Sequence, residues 1–273
     1  MREYEFDRES ALEKGEAFPD EVCDDPWVVY HGTSSVSEEE IDLCGFHWRP
    51  AVATRSEVGH VVSMFDRMSW AGRSGGGYVV LRPFSLDYDF AGGDQKSIFF
   101  AECSNRALLY ATRGFAGGET ARALRFAFTD LEEYLKSPDL RHSHMEDLRQ
   151  EYDHHRGLVA AVGNPPAEIN LEWLHSELSK LKELRTRCWE AFERYSHGVV
   201  YAVRFDERDL GLLKYNSFMG IEALNAILPE KIIAKVRVPS DWEYVSDDRQ
   251  RMRVIFGNGV VGRLSSERRP HAT

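Results

Sequence analysis

The sequence predicts an α+β fold in which the strands pair in antiparallel fashion, and three observations support this prediction. Continuous apolar runs typical of strands occur near both ends of the 273-residue chain. The long stretch between them, residues 119–196, has the apolar spacing of helices. Strands and helices do not alternate regularly, which argues against the parallel sheet that βαβ units build.

The first half of the chain contains short elements separated by turn residues. We expect a strand at 27–31 that ends in a Gly-Thr-Ser turn. Residues 37–44 predict a short helix, because Ser37 and Glu40 have the spacing of a capping box and Gly45 suits a helix end. The other elements expected here are strands at 78–81 and 97–101 and a helix at 104–113.

The second half begins with helices and ends with strands. The expected helices are at 123–135, 145–155 and 171–195. The last of them has an apolar stripe that is typical of core packing. Strands are expected at 198–205 and 232–238, and an Asn-Gly turn between two apolar runs predicts a hairpin over 252–264.

The chain is expected to form one domain with a helical insertion. A chain of this length with 42% hydrophobic residues can bury a full core. The expected organisation is a polar, acidic lead-in at 1–24, a single domain at 25–265 and a flexible tail at 266–273. The insertion covers about 119–196.

The composition narrows the class of protein. The net charge of −11 disfavours general binding to nucleic acid. The first residues are charged, so neither a Sec signal peptide nor a membrane-spanning segment is expected. The four cysteines lack CxxC spacing and are expected to be reduced thiols. These features indicate a cytoplasmic protein, or one delivered into a target cell by a route other than Sec.

Four histidines are concentrated in one predicted helical segment, at His142, His144, His154 and His155. Zinc binding is the alternative interpretation, but the segment has neither cysteine partners nor HExxH spacing. We therefore expect an exposed, charged helical face and no metal.

Three separated motifs carry the functional information. The strand WVVYHGTS contains His31, the segment SIFFAECSNRALLYA covers residues 97–111, and the late segment GIEAL contains Glu222. In this order the motifs resemble the NAD-dependent ADP-ribosyltransferases. The resemblance is to the branch whose signature is His-Tyr-Glu, which includes diphtheria-like toxins and the poly-ADP-ribose polymerases.

The resemblance implies roles for individual residues. His31 would hold the adenosine ribose, and the backbone of Gly32 would pair with the nicotinamide carboxamide, with Thr33 next to them. Tyr110, eleven residues after the first aromatic position of the motif, would stack on the nicotinamide. Glu222 would be the catalytic carboxylate, because it precedes ILPEKIIAKVRVP as the family's Glu precedes a similar segment.

Two positions depart from the family pattern, and a third bears on the acceptor. Phe99 stands where the family has its first Tyr, so a ring is present to frame the nicotinamide but the hydroxyl is missing. Ala107 stands where the polymerases have a Ser that bonds the carboxamide, and Ser104 or Asn105 would replace it. Arginine-modifying relatives carry Glu or Gln two residues before the catalytic Glu, so Gly220 argues against an arginine target.

The chemistry explains why these residue types recur. Breaking the bond between nicotinamide and ribose builds positive charge on the sugar, as in glycoside hydrolysis. One carboxylate beside the cation stabilises it, and aromatic faces hold the nicotinamide ring. Glu222 is expected to be that carboxylate; Glu230 is the alternative, although its Pro-Glu sequence is typical of a turn.

The resemblance also implies a fold and a function. The fold would be two small facing antiparallel sheets around an NAD cleft, with the helical insertion beside it. The activity would be metal-free transfer of ADP-ribose from NAD⁺ to a macromolecular acceptor, protein or nucleic acid. By analogy, the protein would be a bacterial toxin or effector with a regulatory or antitoxin protein as a partner. Two alternatives stay open: an NAD glycohydrolase, and a catalytically degenerate module of the same fold that binds a nucleotide or protein.

Overall fold

The computed structural model describes residues 1–47, 52–70, 77–85, 98–158, 166–216, 220–243 and 259–267. It has an α+β fold, with 58% helix and two small open sheets, in agreement with the sequence-based fold class. The chain divides into two compact units. The sheet unit comprises Met1–Pro50, Asp94–Gly118 and Ala191–Thr273, and the helical unit comprises Ala51–Gly93 and Glu119–Glu190.

The sheet unit contains a four-stranded sheet with the strand order β1-β7-β4-β2. Its strands are β1 (Arg2–Tyr4), β2 (Val28–Ser34), β4 (Gly198–Arg204) and β7 (Ile232–Val238). β4 pairs in antiparallel fashion with β2 and β7, but β1 runs parallel to β7, so the prediction of antiparallel pairing is wrong for this edge strand. Residues near the N-terminus therefore supply an edge strand.

A second sheet in this unit has three antiparallel strands in the order β3-β6-β5. They are β3 (Ile98–Phe100), β5 (Leu213–Asn216) and β6 (Gly220–Ala223). A bridge between Tyr30 of β2 and Ala101, directly after β3, connects the two sheets. Glu222 lies within β6, which is not among the strands predicted from the sequence.

The four-stranded sheet has a hydrophobic core on each face, because successive side chains of a strand point to opposite sides. Val29 of β2 belongs to the first core, which also contains Phe100 of the three-stranded sheet. Tyr30 belongs to the second core, which α6 (Ser104–Tyr110) covers through residues such as Ala107. The N-terminal segment around Phe18 also packs into this second core.

The described part of the sheet unit contains four further helices: α1 (Arg8–Glu13), α2 (Asp20–Cys23), α3 (Glu38–Cys44) and α11 (Gly259–Glu267). α3 ends at Gly45, as expected, with a positive φ of 76°. The hairpin predicted over 252–264 is wrong, since α11 occupies its second half. Val260, Val261 and Leu264 are buried at helical spacing, and residues 251–258 lie outside the described residues.

Two other predicted elements differ from the structure. β2 does not turn at Gly32 but continues to Ser34, because every residue of the predicted turn pairs with β4. The strand predicted at 78–81 is a helix, α5 (Gly77–Ser85). Tyr78 and Leu81 are buried three residues apart while Val79 is 65% exposed, which is a helical pattern.

The helical unit has its own hydrophobic core. Its helices are α4 (Arg55–Met68), α5, α7 (Gly118–Lys136), α8 (Pro138–Leu158), α9 (Leu171–Lys180) and α10 (Lys182–Glu193). The stripe expected in one helix at 171–195 is shared by α9 and α10, which are separated at Leu181. Leu174, Leu184 and Cys188 are buried, which confirms that the stripe is core packing.

The histidine-rich segment is only partly the exposed face that the sequence predicted. His142, His154 and His155 are exposed, but His144 is buried, with Nδ1 3.1 Å from the Tyr134 hydroxyl. Among the described residues, no cluster of His, Cys, Asp and Glu side chains is arranged to hold a metal ion. No helix among the described residues is both long and apolar enough to cross a bilayer.

Candidate active site

His31 is held at the junction of the two sheets. Its Nδ1 lies 2.9 Å from the Phe99 carbonyl oxygen, and its ring makes edge contacts with Phe46 and Phe100, at centroid distances of 4.7 and 5.6 Å. A carbonyl oxygen only accepts hydrogen bonds, so Nδ1 carries the proton. In the neutral ring, Nε2 is then an acceptor, suited to a ligand hydroxyl.

Gly32 marks the closest approach of β2 to α6. A Cβ at this position would overlap the Ala107 carbonyl oxygen and lie 2.7 Å from its carbonyl carbon. Gly198 of β4 makes the same kind of contact with Ala111, just after α6. The lack of a side chain at position 32 is therefore explained by the contact with the helix. Thr33 follows, half-buried in β2.

Phe99 and Glu222 are direct neighbours in the three-stranded sheet. The register pairs Phe99 of β3 with Glu222 of β6, and pairs Lys214 of β5 with Glu222 from the other side. Paired residues in antiparallel strands have Cα atoms about 4.5–5.5 Å apart. Glu222 is only 9% exposed. The Phe99 backbone thus connects two candidate residues, bonding His31 and pairing with Glu222.

Tyr110 is the last residue of α6, on the helix that packs directly on β2. Its half-buried ring meets Phe115 edge to face, with centroids 4.9 Å apart and an interplanar angle of 72°. Because Gly32 has no side chain, α6 contacts β2 directly on the face of the second core, whereas the His31 ring contacts residues of the first core.

Ser104 likewise lies on the α6 side of β2. It is buried at the start of α6, and its hydroxyl oxygen accepts a hydrogen bond from the Ala17 backbone N–H at 3.1 Å. Ala17 packs into the second core, whereas the His31 ring contacts two aromatic residues of the first. Ser104 therefore anchors the N-terminal segment on the sheet face opposite His31. Neither Ser104 nor Asn105 caps α6; the N-cap residue is Cys103.

Sequence reasoning missed a buried charged cluster between α3 and β7. Lys235, 4% exposed, contacts Glu38 Oε1 at 2.8 Å and Asp42 Oδ2 at 2.5 Å. Glu38 also accepts from Arg237 Nε and pairs with His197 Nε2, each at 2.8 Å. The detectable signal was the pair of alternating cations in the otherwise apolar strand IIAKVRV.

This cluster fixes α3 beside the candidate site. Burial opposes ionisation of Glu38, but hydrogen bonds from Lys235, His197 and Arg237 outweigh it and lower its pKa to about 2. Tyr201, which pairs with His31 across β2 and β4, donates to Asp42 at 3.0 Å. The cluster therefore orients α3, and the chain after α3 supplies the Phe46 ring against His31.

Glu230, the alternative carboxylate, lies elsewhere in the sheet unit. It is exposed in a short 3₁₀ turn, Pro229–Lys231. It contributes to a surface cavity of about 610 Å³ that is also lined by Trp27, Arg204 and Phe205, and by none of the candidate site residues. The structure therefore separates Glu230 from His31.

Comparison of the chain with protein-family models, with curated proteins and with solved structures yields no match. The interpretation of the site consequently depends on the geometry and chemistry of its residues.

Proposed function

We propose that the sheet unit transfers ADP-ribose from NAD⁺ to a macromolecular acceptor, either a protein or a nucleic acid. The observation that carries this proposal is the position of Phe99, whose carbonyl oxygen lies 2.9 Å from His31 Nδ1 and which pairs with Glu222 across β3 and β6. Phe99 thus lies next to both His31, whose Nε2 can accept a hydrogen bond from a hydroxyl group, and the nearly buried Glu222 carboxylate. Two small open sheets in one unit also agree with the ADP-ribosyltransferase-like fold that the resemblance implies.

The proposed reaction requires stabilisation of a sugar cation. The bond between ribose C1′ and the nicotinamide nitrogen breaks, and its electron pair neutralises the pyridinium, so the leaving group requires no acid. The Glu222 carboxylate stabilises the developing positive charge and accepts a hydrogen bond from the nicotinamide ribose. The acceptor nucleophile then bonds to C1′ and releases its proton to solvent.

The remaining candidate residues bind and orient NAD⁺ in this proposal. His31 Nε2 accepts a hydrogen bond from the adenosine ribose, and the Gly32 and Thr33 backbone borders the carboxamide. Tyr110 stacks on the nicotinamide while Phe99 frames it. The proposal that the protein acts as a toxin or effector, and that a regulatory or antitoxin protein binds it, depends on the resemblance alone. Such a toxin or effector would act in the cytoplasm, or in a target cell after delivery by a non-Sec route.

One specific observation favours the degenerate binding module as the second candidate. Phe99 lacks the hydroxyl that the first Tyr of the family provides. In such a module NAD⁺ or another nucleotide would bind, but no glycosidic bond would break.

The test is incubation of the purified protein with NAD⁺ labelled in its adenosine part, with and without cell lysate. Label transferred to protein or nucleic acid supports the proposal, and its digestion by protease or nuclease identifies the acceptor class. Free ADP-ribose without transfer indicates the glycohydrolase. Binding of NAD⁺ without cleavage indicates the degenerate module, and the absence of both binding and cleavage contradicts all three.

A further inference from the structure

A buried ion pair lies at the start of α6, on the same helix as Tyr110. Arg106 Nη1 is 3.3 Å from Oε1 and 3.4 Å from Oε2 of Glu102. The two side chains are only 18% and 5% exposed. Desolvating two charges often costs as much as their attraction returns, so a buried pair is weak evidence of a stabilising role. A functional role for this pair would therefore have to come from its other contacts.

The guanidinium has a second neighbour one turn further along α6. Tyr110 follows Arg106 by four residues, and residues with this spacing share a helix face. Burial lowers the pKa of Arg106, but the Glu102 charge and the interaction with the Tyr110 hydroxyl raise it more. Phe115 packs against Tyr110 with its ring 4.9 Å away. Tyr110 thus has both a cation and an aromatic ring as neighbours.

The carboxylate of the pair lies close to the beginning of β6. A Cβ on Gly220 would overlap the Phe100 carbonyl oxygen and lie 3.3 Å from Glu102 Oε2. Gly220 has a φ of +94°, which also favours glycine, and it is two residues before Glu222 in the same strand. The ion pair therefore joins α6, which contains Arg106 and ends in Tyr110, to a carboxylate that lies close to the strand of Glu222.

We propose that Arg106 is a positioning residue for NAD⁺ binding, which fixes the Tyr110 ring and connects it through Glu102 to the strand of Glu222. This inference rests on the proposed function, which assigns nicotinamide stacking to Tyr110. A ring that is already fixed loses less conformational entropy when a ligand stacks on it. Arginine suits this role, because its planar fork serves two partners at once whereas lysine offers a single charge.

The first test compares Arg106→Lys with the wild type by calorimetric titration of NAD⁺ and by the kinetics of NAD⁺ cleavage. The variant keeps a cation beside Glu102 but lacks the fork. Loss of one hydrogen bond is expected to raise the Kd and KM for NAD⁺ about two- to tenfold, with kcat little changed. Arg208→Lys is the control, because Arg208 is an exposed arginine of the same unit that bonds Asp206.

Two further variants separate positioning from mere stability. The double variant Glu102→Gln/Arg106→Gln removes both charges and leaves neither buried alone. A wild-type Kd in this variant would mean that the pair only stabilises the fold, whereas positioning predicts that the Kd stays raised. Arg106→Lys and Tyr110→Phe should also combine non-additively, because both changes break the same contact. Additive effects would overturn the inference.

The design also separates this inference from the proposed function. If the wild-type protein binds no NAD⁺, the proposed function is wrong, and the positioning role that depends on it is wrong as well. If the wild type binds NAD⁺ and Arg106→Lys binds it equally well, the positioning role fails and the proposed function is untouched.

Discussion

At the scale of single residues, the candidate site depends on groups whose hydrogen-bonding roles are fixed by their neighbours. The Phe99 carbonyl, 2.9 Å from His31 Nδ1, sets the tautomer and leaves Nε2 as an acceptor. The nearly buried position of Glu222 limits its contact with water, which strengthens its interaction with a nearby cation. Neither effect requires the missing hydroxyl at Phe99, which is why the proposed function allows for its absence.

The first prediction concerns the carboxylate itself. Glu222→Gln keeps the shape of the side chain but removes its charge, so kcat should fall about 10²–10³-fold, as when one preorganised electrostatic contact is lost. The Kd for NAD⁺ should stay within several-fold of the wild type. Glu230→Gln, in an exposed turn, is the matched control and should keep full activity. Loss of activity in the control together with normal activity in Glu222→Gln would transfer the role to Glu230.

The second prediction concerns His31. His31→Ala removes the ligand acceptor and leaves the Phe99 carbonyl without its histidine donor, so NAD⁺ binding and kcat/KM should both fall. A net hydrogen-bond contribution of about 0.5–1.5 kcal/mol corresponds to a change of roughly two- to tenfold. The measurement is NAD⁺ titration beside initial rates. His47→Ala, at an exposed histidine, is the control, and an unchanged Kd in His31→Ala would exclude the ribose contact.

At the scale of elements, the sequence predicted correctly the strands whose apolar pattern is compatible with one type of secondary structure. The runs at 198–205 and 232–238 are the buried central strands β4 and β7, and both predictions are confirmed. The run at 78–81 is too short for periodicity to distinguish a strand from a buried helix, and the prediction was wrong.

The sequence could name candidate site residues but not the contacts between them. Strand register places Phe99 opposite Glu222, and no local pattern in the sequence encodes that pairing. The position of Ser104 could not be predicted from a local pattern for the same reason. Its partner Ala17 is 87 residues away along the chain, so only the tertiary fold brings the two together.

The third prediction tests the contact between β2 and α6. Gly32→Ala would push a methyl group into the Ala107 backbone, which cannot yield as a flexible side chain would. Overpacking of this kind typically costs about 1–3 kcal/mol. We therefore expect a clear fall in Tm for this variant. Gly211→Ala is the control in the same unit, because a Cβ there meets no atom within 4 Å. Equal Tm values for the two variants would contradict the close contact.

The fourth prediction concerns the pH dependence of the cluster around Glu38. The folded-state pKa of Glu38 is depressed to about 2, from an ordinary value of 4.5. A depressed carboxyl pKa stabilises the fold above the unfolded-state value, and this contribution is lost as pH falls from about 4.5 towards 2. The Tm difference between wild type and Glu38→Gln should therefore shrink over that range. Glu39→Gln, at an exposed neighbour on α3, is the control. A difference that is constant with pH would contradict the depressed pKa.

At the scale of the whole molecule, the chain combines two compact units, and only one of them contains the candidate site. Every candidate site residue belongs to the sheet unit, whose sequence is interrupted twice by the segments that build the helical unit. The helical unit has a core of its own around residues such as Phe65 and Leu124. Its role is therefore not explained by the proposed NAD⁺ chemistry, and two hypotheses remain: selection of the acceptor or partner, or a purely structural function.

The last prediction distinguishes these two hypotheses through the exposed cations of α8. Arg149 and Arg156 are exposed, whereas Arg141 donates from Nη1 to the Tyr134 and Leu135 carbonyls at the end of α7, so reversing its charge would damage the helix junction.

Arg149→Glu/Arg156→Glu is therefore the informative variant, and charge reversal is expected to reduce transfer to an anionic acceptor while NAD⁺ hydrolysis stays unchanged. The readouts are labelled transfer and free ADP-ribose, measured in the same reaction. Lys182→Glu on α10, which changes the net charge by half as much, is the control for charge reversal elsewhere in the unit. If transfer and hydrolysis both match the wild type in a folded variant, this face has no acceptor role and the structural hypothesis is preferred.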